Sequence, residues 1–557
     1  MSARPIAYNA SGTERPEAPI ARWLAAVALI VLIIANANVA NLLIVRLLRR
    51  RREIAVRLAL GISRSRLGRL LILEGMVYAI VGGAAGIGFA YGGAEIMRRV
   101  FLSNVVWDTA PVDTRVLLVA MLLTVTTGFM VSFAPLLQTR RADIVVALRG
   151  TGGSGGARQS RTRFALLVTQ AAFSVLLLTG AGLFMRSLSN VRRLDLGLQP
   201  DRVLVGEVDW PRLRNVSPPV AAAERRRETV LWMSLRDYLT RARGVEHAAL
   251  AIGSPFGYGF GVTLKVPGRD TLPSAPGGGP YVNAVTSEYF ATVGTPVVRG
   301  RVFGPNEGAT TERVAIVNEM MAKLLWPEED PLGKCIIVGD DETRCSTVVG
   351  VVRDARRYGI REDPAMQYYI PFGQEAGFGG TVLLVRPSGD VQSYVSALRR
   401  TIAQLVPDAS VIDVGVMQDR VDPQIRPWRL GATMFGLFGA IALVVAAIGL
   451  YSVVSYVTAQ RTHEIGVRLA IGAGARRIVG LIVTDGMRVA VVGAAIGLVL
   501  ALIASRWIAP LLFNESARDP WVYLGVTVTL LAVAAIACLA PAVRAARVDP
   551  VNALRDG

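Results

Sequence analysis

Histidine and cysteine are scarce in this sequence, whose 557 residues include two histidines and three cysteines. His247 and His463 are far apart, and neither stands at metal-ligand spacing from a cysteine or a carboxylate. The sequence also lacks a G-x-x-x-x-G-K-S/T phosphate-binding loop and a G-x-S-x-G nucleophile elbow. These absences predict that the chain is not an enzyme and that it uses no metal or other cofactor.

The longest stretch without a membrane-length apolar run is 188–427, in the middle of the chain. Hydrophobic residues make up 52% of the sequence and the mean hydropathy is +0.43, which is high for a soluble protein of this size. Seven apolar runs are long enough to cross a bilayer as helices that rise about 1.5 Å per residue. They lie at residues 23–45, 70–96, 116–137, 164–186, 428–457, 478–503 and 521–539. The sequence therefore predicts an α-helical polytopic membrane protein with seven spans.

Basic charge is abundant, and its placement predicts the orientation of the spans. The formal net charge is +19, and nearly all of the basic residues are arginines. The arginines cluster in segments that all fall on one side of the predicted spans, which marks that side as cytoplasmic. Seven crossings then place the N-terminus outside and the C-terminus inside. Arginines beside apolar spans favour contact with anionic membrane lipid, so we predict no nucleic-acid partner.

One basic segment occurs twice, as RRRREIAVRLALGISRSR at 49–66 and QRTHEIGVRLAIGAGARR at 460–477. The copies align Glu53 with Glu464, Arg57 with Arg468 and Gly61 with Gly472. In each copy the acid precedes the arginine by four residues, which places both on one helical face in the favourable order for an ion pair. The glycine then ends the helix. A topology signal needs positive charge but no particular order, so this repetition favours a docking element over a merely solvated loop.

The span after each basic segment carries a G-x-x-x-G pair. The first pair is Gly82 with Gly86, and the repeat-related second pair is Gly493 with Gly497. Small residues at this spacing let helix backbones approach closely in a bilayer, so we predict helix packing at both pairs. The alternative is that glycine is simply common in membrane helices.

The segment 188–427 contains no run long enough to span, and strand-like and helix-like stretches alternate in it. Strands are predicted at 203–208, 314–317, 347–352, 366–370 and 381–385, and helices at 221–242, 318–325 and 391–405. This pattern predicts an α+β domain on the same side as the N-terminus. Cys335 and Cys345 enclose the stretch VGDDETR between two strand-like runs. A disulfide in an oxidising compartment and two free thiols both remain open.

Several stretches resemble a known family. The string ANANVANLLIVRLLRRRREIAVRLALG resembles the FtsX/MacB-type permeases of ABC transporters, and in particular large bacterial permeases in which this unit is duplicated. The stretches SEYFATVGTPVVRGRVF, VAIVNEMMAKLLWPEEDPLGK and VVGVVRDARRYG resemble the MacB-like periplasmic core domain. The resemblance covers nearly the whole chain beyond residue 22. It implies a bacterial inner-membrane location and a partner, a separate ABC ATPase subunit, that docks on Glu53, Arg57, Gly61, Glu464, Arg468 and Gly472.

The resemblance also implies a division of the chain and a function. We expect a disordered leader (1–21), a first three-span FtsX-like unit (22–149), a cytoplasmic linker (150–163), a fourth span (164–187), a periplasmic domain (188–427) and a second three-span FtsX-like unit (428–557). A complete duplicated permease would carry one more span and one more outer domain before residue 23, so we expect a truncated or degenerate first copy.

The function that this resemblance implies is ATP-driven movement of the periplasmic domain, most simply for export. The alternatives are a signal relay to a periplasmic partner, without transport, and an inactive truncated copy. A second permease copy is a further possible partner.

Overall fold

The computed structural model describes residues 17–49, 63–101, 114–140, 155–209, 217–257, 260–307, 311–339, 344–374, 381–406, 411–471 and 473–547. The chain divides into two compact units. We call Met1–Arg192 with Arg426–Gly557 the membrane unit, and Arg193–Ile425 the sheet domain.

Within the described residues the helices are, in chain order, α1 (Glu17–Arg49), α2 (Arg64–Phe101), α3 (Thr114–Arg140), α4 (Gly155–Arg192), α5 (Pro218–Thr240), α6 (Tyr289–Val293), α7 (Glu319–Leu325), α8 (Val391–Leu405), α9 (Gln418–Gln460), α10 (Thr462–Ala470), α11 (Ala475–Ile508) and α12 (Pro520–Ala546). The strands are β1 (Leu204–Asp209), β2 (Val245–Ala251), β3 (Phe260–Gly261), β4 (Leu264–Lys265), β5 (Tyr281–Val285), β6 (Val297–Gly300), β7 (Val314–Asn318), β8 (Cys335–Val338), β9 (Cys345–Val352), β10 (Gln367–Pro371), β11 (Val382–Pro387) and β12 (Val411–Val416).

Six described helices are long and apolar enough to cross a membrane: α1, α2, α4, α9, α11 and α12. The seventh predicted span lies in α3, where the described apolar stretch Val116–Phe129 is shorter. Large apolar side chains on these helices are exposed, for example Phe89 at 84% and Ile536 at 70%. Such exposure suits contact with lipid tails and confirms the predicted class, a polytopic membrane protein with an α+β domain.

Two predicted polar segments are partly helical instead. Helix α1 begins at Glu17, inside the predicted leader, and α4 begins at Gly155, inside the predicted linker. The prediction of non-helical chain was therefore wrong at 17–21 and 155–163. Starting a helix is the unfavourable step, and the long apolar helix has already taken it. Adjoining residues with good helix propensity, such as Arg158 and Gln159, therefore extend the helix at little cost in free energy.

Close contacts join the helices of the membrane unit. Helix α2 packs on α3, where Gly83 faces Thr124 and Gly128 faces Met76. Helix α11 packs on both α4 and α12, and α1 contacts α3 and α4. The asparagines of α1 at positions 36, 38 and 41 are all buried, so this polar face of the span packs on protein.

The sheet domain is built on one mixed sheet with the strand order β12-β1-β11-β2-β5-β10-β7-β9-β8-β4; β3 pairs with β5, and β6 pairs with β9. The β5–β10 and β7–β9 pairs are parallel, and the other pairs are antiparallel. Helices α5 and α8 bury Trp232, Leu235 and Ile402 against the β1, β2 and β11 half of the sheet. Helix α7 covers the other half with Met321 and Leu325.

The start of α7 is fixed by side-chain caps. Asn318, the last residue of β7, accepts a hydrogen bond from the Met321 backbone nitrogen at 3.1 Å. Asp354, which follows β9, accepts one from the Met320 nitrogen at 2.9 Å and another from Asn318 Nδ2 at 2.6 Å. Burial raises the pKa of the Asp354 carboxyl above its usual range, and the nearby Glu319 adds to the rise.

Candidate functional site

Helix α10 connects α9 to α11 and carries the second copy of the repeated basic segment. It spans Thr462–Ala470, with one residue between it and α9. Arg468 Nη2 lies 2.5 Å from Glu464 Oε1, and both side chains are about half exposed. The predicted four-residue pair therefore forms, on a half-exposed face of the helix.

The neighbouring face of α10, about 100° around the helix axis, is anchored in the membrane unit. Ile465 is buried, and Leu469 packs against the same apolar cluster, which includes Ile478 and Ile482 of α11 and Cys538 of α12. Because this face is fixed to two long helices, α10 cannot be displaced without straining α11 and α12.

The residue after α10 is an apolar side chain on the surface. Ile471 is 81% exposed, whereas Ile465 on the same segment is 6% exposed. Single exposed apolar side chains are common on protein surfaces, so this exposure shows only that Ile471 is accessible to a partner. Sequence reasoning missed it, although an apolar residue directly before the predicted terminal glycine was the available signal.

In each copy of the repeat, an ion pair joins an acidic residue of the helix after the basic segment to an arginine at the end of the helix before it. In the second copy, Asp485 Oδ2 of α11 lies 3.6 Å from Arg461 Nη1, at the end of α9. In the first copy, Glu74 Oε1 of α2 lies 2.8 Å from Arg46 Nη1 of α1. Glu74 and Asp485 occupy equivalent repeat positions, so both copies tie the second helix to the end of the first.

The remaining predicted coupling residues, Glu53, Arg57, Gly61 and Gly472, lie outside the described residues. Nothing structural is added for them.

The two predicted glycine pairs have different surroundings. A methyl group on Gly493 would lie 2.5 Å from Ala171 Cβ, and one on Gly497 would lie 2.6 Å from the Ala172 oxygen, both in α4. In the part of the chain that the structure describes, no atom lies within 4 Å of a methyl group built on Gly82 or Gly86.

The paired cysteines and His247 lie in the sheet domain, and His463 lies in α10. A disulfide joins Cys335 at the start of β8 to Cys345 at the start of β9, with 5.5 Å between the Cα atoms. His247 Nδ1 lies 3.2 Å from Glu288 Oε2 on the surface. Among the described residues, no group of three or more histidine, cysteine or acidic side chains is placed to hold a metal ion.

Comparison with known proteins gives matches over both units. A family model described as FtsX-like permease C-terminal matches residues 25–144 and 436–550. These two segments contain the two copies of the repeat. A second model, described as MacB-like periplasmic core domain, matches residues 116–401, more than half of the chain.

The similar curated proteins are ABC transporter permeases. The chain is 24% identical over 280 residues to the uncharacterized ABC transporter permease YknZ of Bacillus subtilis strain 168, an alignment that covers 49% of this chain and 69% of YknZ. It is 27% identical over 315 residues to the macrolide export ATP-binding/permease protein MacB of Marinobacter nauticus, covering 53% of this chain and 45% of that protein. The match thus spans less than half of the length of that MacB.

A crystal structure of the periplasmic region of MacB from Actinobacillus actinomycetemcomitans aligns with 42% of this chain and 95% of its own, at 17% identity and a TM-score of 0.29. The family assignment does not depend on it, because the FtsX-like model matches both copies of the repeat and the MacB-like model matches most of the chain between them. On those two matches, the chain belongs to the MacB/FtsX-type family of ABC transporter permeases.

Proposed function

We propose that this chain is the permease subunit of an ABC system in a bacterial inner membrane. A separate ABC ATPase docks on α10 from the cytoplasm, and its ATP-dependent movement displaces the sheet domain in the periplasm to drive export. The N-terminus is periplasmic and the C-terminus cytoplasmic. The name of the similar MacB protein, which refers to macrolide export and to ATP binding in the same chain, supports the coupling to ATP.

The construction of α10 is the observation that carries this proposal. One face carries the half-exposed Glu464–Arg468 pair, the neighbouring face is fixed to the spans by Ile465, and the exposed Ile471 follows the helix. A short helix that is charged on one face and anchored on the next is suited to receive a push at the membrane surface. The first copy, at 49–66, repeats its sequence and would offer a second docking point.

Helix α9 supplies the route for the displacement. It runs without a break for 43 residues, from Gln418 to Gln460, and α10 follows it after one residue. A helix of this length measures about 65 Å, which is longer than the hydrocarbon core of about 30 Å. A displacement of α10 along the axis of α9 therefore also displaces the far end of α9, beyond the bilayer, because no flexible loop interrupts the helix.

Site-specific photocrosslinking tests the docking. A photoreactive residue at Ile471 of the full chain, expressed in its own host, should crosslink to a protein whose peptides contain a G-x-x-x-x-G-K-S/T loop, and ATP should change the yield. The same residue at Ile536, which is 70% exposed on α12, should crosslink to lipid and not to that protein. Crosslinks from position 471 that never include an ATPase would refute the docking site.

Substitution gives a second, quantitative test. Ile471→Asp should weaken capture of the ATPase at least about tenfold, the effect of losing an apolar anchor of about 1.4 kcal/mol. Because the Ile471 side chain makes little contact within the chain, the thermal stability of the variant should equal that of the native chain. Equal capture by the variant and the native chain would mean that α10 is not the docking element.

A signal relay without transport remains a second candidate, and one observation favours it. A cavity lined by α4, α9, α11 and α12 measures only about 30 Å³ and is lined by alanine, leucine and valine, space for about one water molecule, although a larger cavity of about 710 Å³ lies beside α10. Both candidates predict ATP-dependent change in the sheet domain. Only export predicts ATP-dependent movement of a solute across sealed vesicles that contain the chain and its ATPase.

A further inference from the structure

We propose that the membrane unit binds an anionic glycerophospholipid in a cavity between α4, α9, α10 and α11. The cavity measures about 710 Å³, within the usual range of about 300–1,000 Å³ for small-ligand sites. This inference is independent of the ATPase, because it concerns a ligand of the permease chain alone.

One part of the cavity is apolar. Phe164 and Leu167 of α4, Leu450 and Val457 of α9 and Val489 of α11 form its walls. From Val457 to Leu450 the wall follows α9 for about 10 Å of helix axis, which is a substantial part of one leaflet of a bilayer with a core of about 30 Å. These walls suit the glycerol esters and the first methylene groups of acyl chains.

The lining of the same cavity is also strongly basic. Its charged lining consists of Arg163, Arg461, Arg468, Arg477 and Arg488 against Glu464 and Asp485. Glu464 pairs with Arg468, and Asp485 pairs with both Arg461 and Arg488. The two carboxylates therefore leave an excess of three positive charges. The guanidinium group of Arg477 makes no ion pair with any described residue and is exposed at the cavity.

A lining that combines apolar side chains with excess arginine matches the chemistry of a phospholipid with a net negative headgroup. Arginine forms paired hydrogen bonds with phosphate oxygens, while the apolar walls exclude a purely hydrophilic anion as the best ligand. The cavity lies where four helices converge beside the cytoplasmic basic segment, which is the level of lipid headgroups if the predicted orientation holds. A free phosphate would use only the arginines, and a partner protein segment would use the same walls, so the experiment must separate these occupants.

Native mass spectrometry of the delipidated full chain, without any ATPase, measures the binding directly. Dioleoylphosphatidylglycerol should bind at least about tenfold more tightly than dioleoylphosphatidylcholine. Arg477→Gln should weaken phosphatidylglycerol binding about fivefold, the contribution of one arginine near an anionic headgroup. The matched control is Arg476→Gln, an exposed neighbour that does not line the cavity, and it should change binding less than twofold.

Three further arms decide the occupant. Leu481→Trp, at a partly exposed lining position, should reduce binding of phosphatidylglycerol by occupying the cavity. Inorganic phosphate at the same concentration should not displace the lipid. A photoreactive residue at Leu481 in membranes should form lipid adducts.

Equal affinity for the two lipids, equal effects of the two arginine substitutions, displacement by phosphate, or crosslinks only to protein would each overturn the proposal. Because these measurements use the permease alone, their failure would leave the proposed ATPase docking intact.

Discussion

Adding one methyl group at Gly497 tests the contact between α4 and α11. The Cβ of an alanine there would lie 2.6 Å from the Ala172 oxygen and 2.7 Å from Val175 Cβ. Real Cβ atoms do not approach backbone oxygen this closely, and Ala172 cannot move its carbonyl without moving α4. The two helices must therefore separate locally.

The expected cost follows from two opposing effects. Overpacking a tight contact costs about 1–3 kcal/mol, and replacing glycine by alanine within a helix returns up to about 1 kcal/mol. Gly497→Ala should therefore lower the free energy of unfolding by about 1–2 kcal/mol. With an unfolding entropy of about 2.1 cal/mol/K per residue of the membrane unit, this corresponds to a fall of about 2–3 °C in the unfolding temperature. The measurement is thermal unfolding of the detergent-solubilised full chain.

The internal repeat provides the control, Gly86→Ala. Gly86 is the repeat equivalent of Gly497, but no described atom lies within 4 Å of a methyl group built there. Only the helix-propensity effect then applies, so stability should be unchanged or should rise by up to about 1 kcal/mol. If Gly86→Ala destabilises the chain as much as Gly497→Ala does, the clash with α4 is not the cause and the reasoning fails.

Three further predictions concern other contacts. Replacing Cys335 and Cys345 together by serine should lower the free energy of unfolding of the sheet domain by about 2–3 kcal/mol, the loop-closure effect of a ten-residue separation. Thiol labelling of the native chain under non-reducing conditions should leave both cysteines unmodified. Rapid labelling would contradict the disulfide. Because burial raises the pKa of Asp354, the folded chain holds that proton more tightly than the unfolded chain, so unfolding free energy should fall as pH rises from 3.8 through the raised pKa. Asp354→Asn can keep both accepted hydrogen bonds and should flatten that dependence in thermal unfolding between pH 4 and 7; an unchanged slope would exclude Asp354 as its source. In α9, Gly449→Leu should destabilise the chain by about 1–3 kcal/mol because its Cβ would meet polar oxygens at 2.8 and 2.9 Å, whereas Gly436→Leu meets nothing within 4 Å among the described residues and should have little effect on thermal unfolding.

The sequence predicted local structure well where a single helix or strand carries its own signal. Helix α8 has the predicted bounds 391–405, because Asp390 caps it and its apolar residues recur at helical spacing. The predicted strand 314–317 is β7, whose side chains are all buried. The Glu464–Arg468 pair forms because a four-residue spacing on a helix is a local property.

Elements defined by distant partners were not predicted. Strand β2, VEHAALA, contains three alanines and no run of β-branched residues, yet it is a strand because β11 and β5 pair with its two edges. The Arg461–Asp485 pair joins residues 24 positions apart on different helices, and no sequence spacing indicates it. The exposure of Ile471 depends equally on the packing of its neighbours.

The repeat shows why similar sequence does not ensure similar packing. Each copy has the same G-x-x-x-G pair and an acid at the equivalent position. Glu74 pairs with Arg46 of α1, and Asp485 pairs with Arg461, the residue that follows α9. The glycine faces differ because the surface opposite Gly493 and Gly497 belongs to α4, which lies outside the repeated segments. A glycine pair allows another helix to approach closely, but a contact forms only where a partner helix lies against the pair. The glycine face of α2 therefore has a sequence suited to helix packing but contacts no described helix, whereas the equivalent face of α11 packs closely on α4.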